Sequence, residues 1–153
     1  MLKLHHEQTL KYYIDKCNIN DIFDVNFIKN MELHCFNKNE FITCKNSTPD
    51  YLYFLVDGTI VKFEDSYSLQ NNSSDIYSEF HIIGALEIFT NSNFDYNLKA
   101  LDDCICIGIP IYIIKNIAFK DAHFLKYFCE FFSSKIYNNN FKLKFFNKEK
   151  DAI

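Results

Sequence analysis

Apolar positions in the first thirty residues fall at helical spacing. Leu10, Tyr13, Ile14 and Cys17 share one face, and after a polar break at Asn18 to Asp21 the residues Ile22, Phe23, Phe27 and Ile28 resume the pattern. Two short helices are therefore expected within residues 1–30. From Met31 the period shortens towards two. "MELHCF", "EFITC", "YLYFLV", "TIVKF", "DIYSEFHII" and "CICIGI" are short runs rich in β-branched and aromatic residues, separated by the turn clusters "NKN", "KNSTPD", "DG" and "SLQNNSSD". Asp57-Gly58 between two apolar runs predicts a hairpin, since a type I′ turn demands positive φ. Strands at this spacing point to an all-β roll over residues 31–110 rather than a parallel α/β sheet. At Pro110 the pattern turns helical again. "IPIYIIKNIAF" predicts a short helix, and Asp121 is a candidate N-cap for a long one within residues 111–153. The expected fold is mainly β with flanking helices: a double-stranded β-helix, or jelly-roll-like β-roll, followed by a long dimerisation helix.

The long helix carries a seam. Ala122, Leu125, Cys129, Phe132, Ile136, Asn139, Leu143 and Phe146 follow alternating spacings of three and four, a heptad stripe with one polar member, Asn139. Phe124, Phe128 and Phe131 form a second stripe on a neighbouring face. One stripe suits the chain's own roll and the other a second copy, so a homodimer is expected. The alternative is one wide face buried within a single chain.

Composition narrows the function. The aromatic fraction of 18% supplies ample core for one domain. The net charge of −4 disfavours non-specific attraction to nucleic acid or anionic lipid. All 16 basic residues are lysine, so an anion recognised here is held without a bidentate guanidinium fork. "MLKLHHEQTLKYY" has no apolar signal region, and "CICIGIPIYII" is too short for a span of roughly 20 residues. A cytoplasmic protein with no membrane partner is expected, its six cysteines free thiols rather than a disulfide framework. Cys104 and Cys106 are the one close cysteine pair, and the histidines show no metal spacing. No phosphate-cradling or nucleophile-elbow motif occurs. Neither catalytic residues, a metal nor a cofactor is expected.

The order of elements, and above all "FNKNEFITCKNSTPDYLYFLVDGTIVKF", resembles the Crp/Fnr family of bacterial transcription regulators over roughly residues 8 to 147. The stretch matches the family's G-E-x-I … L-Y-F-I-x-x-G-x-V hallmark, with Asn39 replacing the first glycine. "FHIIGALEIF" is similar to the start of the cyclic-nucleotide cassette. In nucleotide-binding members, the resemblance implies, a G-E-L glutamate holds the ribose and a following R-S or R-T pair holds the phosphate. Here Gly84 matches, Ala85 replaces the glutamate, and Phe94 and Asp95 replace the arginine and the hydroxyl residue. Leu86 and Glu87 complete the altered cassette, and Glu87 and Asp95 oppose an anion. The resemblance thus implies an effector-sensing and dimerisation domain that does not take cyclic nucleotide, with an unknown small-molecule effector possible. DNA contact is expected only through a winged-helix domain absent from this chain. A stand-alone scaffold module and a thiol-based redox sensor are the alternatives.

Overall fold

The computed structural model describes residues 1–65, 74–78 and 80–151, with side chains described up to residue 139 except that of Val25. Nine strands form two antiparallel sheets among these residues. One has the order β1 (Leu2–Leu4), β2 (Glu32–Phe36), β9 (Cys104–Pro110), β4 (Tyr51–Asp57), β7 (His81–Ile83); the other runs β3 (Phe41–Thr43), β8 (Asn97–Ala100), β5 (Ile60–Phe63), β6 (Asp75–Tyr77). Four α-helices accompany them: α1 (Glu7–Lys16), α2 (Ala85–Thr90), α3 (Ile111–Asn116) and α4 (Ala122–Asp151). The whole is a jelly-roll-like β-roll with flanking helices and a long C-terminal helix.

Two cores explain why β4 and β9 are apolar almost throughout. Phe36, Tyr53, Leu55, Ile83, Leu98, Cys104 and Cys106 meet between the sheets. Leu33, Leu52, Phe54, Ile107 and Ile109 leave the opposite face of the five-stranded sheet and pack under Ile14, Phe23, Phe124 and Phe128 from the helical layer. Successive residues point to opposite faces of a strand. With both faces covered, a central strand has no polar face to show. Along β9 the inward positions are small, Cys104, Cys106 and Gly108, while Ile105, Ile107 and Ile109 face outward. The rings of Tyr51 and Tyr53 fill the space over Gly108, where an added Cβ would lie 2.9 Å from Tyr53 Cε1.

The N-terminal region departs from the two expected helices. A three-residue strand, β1, precedes α1 and pairs with β2. Its side chains are exposed, which leaves no alternation to read. Lys3 fastens it, with Nζ 2.8 Å from both Glu32 Oε2 and the Tyr51 hydroxyl. His6 caps α1 by accepting from Thr9 N–H at 3.2 Å. The second expected helix is instead a pair of 3-10 segments, Ile19–Asp21 and Val25–Asn30. Asn18, at φ 52°, interrupts any continuous helix between them and α1.

Asp57-Gly58 is not a hairpin turn. β4 and β5 belong to different sheets, and the dipeptide carries the chain from one to the other. Gly58 does adopt φ +92°, and a Cβ there would meet Asp103 O and Cys104 Sγ at 2.7 Å. The glycine is needed for a close crossing of the Asp102–Cys104 segment, not for a type I′ turn. "DIYSEFHII" likewise splits between the sheets, as β6 and β7. Asn39, in place of the family glycine, sits at φ 72°, a conformation asparagine tolerates better than most side chains.

Candidate functional site: the Gly84–Asp95 cassette and helix α4

Gly84 ends β7 and starts α2. Its φ of +87° is left-handed, and a Cβ would approach Tyr51 O to 3.2 Å. One turn of helix follows, with Ile88 N–H donating to Gly84 O at 3.0 Å. Ala85 is buried, whereas Leu86 points outward. The turn stops at Asn91, φ 54°, whose N–H donates to Glu87 O.

The departures at the two phosphate-holding positions, Phe94 and Asp95, then have structural counterparts. Phe94 is 4% exposed. Its backbone is tied to the facing loop in both directions, N–H to Ser47 O at 3.0 Å and O from Asn46 N–H at 2.7 Å. Its ring lies beneath Gly84 and 5.5 Å from the Tyr96 ring. An apolar ring thus occupies the position that the resemblance gives to the arginine. Asp95 is exposed. Lys99 lies over the Phe41 ring, 5.6 Å from its centroid.

Glu87 is buried at the centre of a polar cluster that the sequence did not reveal. The Tyr96 hydroxyl donates to its carboxylate, and Lys62 sits 4.2 Å from the centroid of the Tyr96 ring. Burial raises the Glu87 carboxyl above its ordinary range; the hydroxyl and Lys62 oppose this, and Asp95 reinforces it. Beside the cluster, His81 stacks on Tyr77 at 3.9 Å. Burial, then Lys135 and Lys62, lowers His81 to about 4. Lys62 comes from β5, Tyr77 from β6, His81 from β7 and Lys135 from α4. No spacing rule joins them, because the roll brings them together only in three dimensions.

Helix α4 separates the two stripes only in part. Asp121 caps it, its Oδ1 accepting from His123 N–H at 2.8 Å. Phe124 and Phe128 are wholly buried, with the Phe89 ring 6.0 and 5.2 Å away. Phe131 is half-buried and packs against this core. Among the seam residues, Leu125 and Phe132 also lean on the core, Phe132 within 5.4 Å of Phe89. Cys129, Ile136 and Asn139 are exposed. The side chains of Leu143 and Phe146 lie outside the described residues.

Cys104 and Cys106 share a face as expected, but that face is the inner core. Burial first, and then Asp102, pushes the Cys104 thiol up to about 11; burial also raises Cys106, Cys35 and Cys17. Among the described residues no group of three His, Cys, Asp or Glu side chains is placed to hold a metal ion, and no helix is long and apolar enough to cross a membrane.

A family model for the cyclic nucleotide-binding domain matches residues 33–121, more than half of the chain. The chain belongs to the cyclic nucleotide-binding domain family. This cyclic nucleotide-binding domain is 21% identical over 119 residues to the regulatory protein YeiL of Escherichia coli O157:H7. The match covers 78% of the chain and 54% of YeiL, so the chain spans about half the length of that relative. Its fold is shared by a transcriptional regulator from Thermotoga maritima, with TM-score 0.60, 21% identity, and coverage of 78% of this chain and 94% of that one. DNR from Pseudomonas aeruginosa gives TM-score 0.65 at 7% identity, over 92% of this chain and 64% of DNR. The cyclic nucleotide-binding domain family therefore supplies the scaffold seen here, Crp/Fnr-like in form, around a cassette whose residues differ.

Proposed function

We propose that the chain is the effector-sensing and dimerisation domain of a Crp/Fnr-type transcription regulator that does not respond to cyclic nucleotide. Phe94 carries this reading. A buried ring stands where a phosphate-binding cation is required, and Lys62 lies instead over the Tyr96 ring beside Glu87. The buried Glu87 carboxyl and the exposed Asp95 add acidic groups to the same cassette. Charge-assisted hydrogen bonds contribute about 1.5–3 kcal/mol each, so their loss removes most of the affinity for a small anion. The signal would leave through α4, which rests on the core by Phe124 and Phe128 and presents Cys129, Ile136 and Asn139 to a second copy. Contact with DNA is assigned to another part of a longer cytoplasmic protein, as the half-length match to a regulatory protein suggests.

Calorimetry with cyclic AMP and cyclic GMP tests the cassette reading. No binding is expected at micromolar concentration. A dissociation constant below about 10 μM, equivalent to roughly −7 kcal/mol, would overturn it. The thiol-sensor alternative has less support, because burial disfavours the thiolate at four of the cysteines. A scaffold role without DNA binding is separated from the main reading by whether the natural gene encodes a DNA-binding domain in frame with this one.

A further inference from the structure

One concavity of the described residues lies away from the cassette. It is a groove of about 860 Å³ between β1, α1, the 3-10 segment Val25–Asn30 and the start of β2. Its apolar lining comes from Leu4, Leu10, Ile14, Ile28, Met31 and Leu33. The volume lies in the range of small-molecule sites, which are concave, mainly apolar and edged by a few polar groups.

β1 forms one wall but does not fill the groove. The strand is held by its ladder to β2 and by Lys3, while Leu4 remains 37% exposed beside an apolar floor. Three lysines at the rim, Lys3, Lys11 and Lys29, are matched by three carboxylates, Glu7, Asp15 and Glu32. Lys3 is already paired with Glu32, and Asn20 donates to Asp15. A balanced rim offers no net attraction to an ion of either sign. The chemistry favours an uncharged occupant that buries an apolar body against the floor and bonds its polar end at the rim.

The floor is also part of the core under the long helix. Ile14, Met31 and Leu33 belong to the same apolar cluster as Phe124 and Phe128, with Phe23 bridging to Phe124 at 5.3 Å between ring centroids. The floor of the groove thus shares one apolar cluster with the layer that seats α4.

We propose that this groove binds a small, uncharged, mainly apolar effector, at a site separate from the Gly84–Asp95 cassette. Its role as an effector rests on the sensory reading above; the binding itself does not.

The test titrates N-phenyl-1-naphthylamine, an uncharged fluorophore that brightens in apolar surroundings, into the full chain. Saturable binding at one site per chain is expected, with a dissociation constant in the micromolar range. Leu10→Trp, which fills the groove, and Leu4→Asp, which charges its wall, should each weaken binding at least tenfold. Tyr112→Asp, at an exposed residue on α3 away from both the groove and the cassette, should leave it unchanged. Circular dichroism checks each variant's fold. Leu4→Asp decides the matter if Leu10→Trp does not fold, because Leu4 lies on an exposed strand. Absence of saturation by the folded chain overturns the assignment and leaves the groove to a peptide or a second copy. Unchanged binding in Leu4→Asp, or equal loss in Tyr112→Asp, also overturns it. Light scattering on the same samples reads dimer formation separately, so failure of the groove and failure of the dimer reading are distinguishable.

Discussion

Replacing Ile136 by alanine isolates the proposed dimer seam. Ile136 is 62% exposed in the single chain, on the turn of α4 after Phe132 leans on the core. Ile→Ala removes three carbons, worth about 0.8 kcal/mol each on full burial. Scaling by the exposed fraction leaves about 1.5 kcal/mol per helix to be gained on pairing. A twofold interface uses the position twice, so the dimer loses about 3 kcal/mol, or roughly a hundredfold in dissociation constant. Chain stability should barely change, since the side chain is mostly in water before pairing. Asn138→Ala, one residue before Asn139 and off the heptad stripe, should shift the constant less than about threefold, which controls for a general effect on the helix. Sedimentation equilibrium over a dilution series reads all three proteins. A native chain that is monomeric at tens of micromolar, or an Ile136→Ala dimer within threefold of native, refutes the reasoning and the dimer reading with it.

Three further outcomes follow from the geometry. Gly58→Ala should destabilise the chain by more than about 2 kcal/mol in urea unfolding, because it adds a 2.7 Å backbone contact to a strained φ of +92°; a change under 0.5 kcal/mol would mean the crossing relaxes freely. His81 is lowered from 6.5 to about 4, so the unfolded chain binds the extra proton between these values and stability should fall as pH drops through that window. His81→Gln should flatten that part of the denaturation profile, and an unaltered slope would show that His81 does not cause it. With a thiol reagent, exposed Cys44 and Cys129 should react in the native chain, while buried Cys104 and Cys106 should react only on unfolding; fast native labelling of Cys104 would contradict the inner-core placement.

The roll and the long helix were legible because their signals are local. Continuous apolar runs marked β4 and β9, and Asp121 followed by phenylalanines at helical spacing marked α4. What failed depended on tertiary placement. Asp57-Gly58 has the chemistry of a hairpin, yet Gly58 answers to the Asp102–Cys104 segment more than forty residues on. β1 has no buried face, so no alternation announces it. At the cassette, substitution of the expected ligand-holding residues was visible in the sequence. The Tyr96 hydroxyl on Glu87 and the Tyr77–His81 stack were not, because these groups meet only when the roll closes. The rim of the N-terminal groove was illegible for the same reason, as its residues come from four separate segments.

The alternation along β9 has a consequence for how this strand can vary. In a half-buried strand, polarity sets register, since a slip of one residue would place charges in the core. β9 lacks that safeguard, because both of its faces are apolar. Its register is written in volume: two cysteines and a glycine towards the core between the sheets, three isoleucines towards the helices. Conservative exchange of one residue leaves this size code readable. Deletion of one residue would drive isoleucine into the space of Gly108 and empty the seats opposite, overfilling one core and hollowing the other without changing the hydrophobicity of either. Among natural variants, β9 should therefore admit substitutions that keep its small–large rhythm and reject single-residue insertions and deletions.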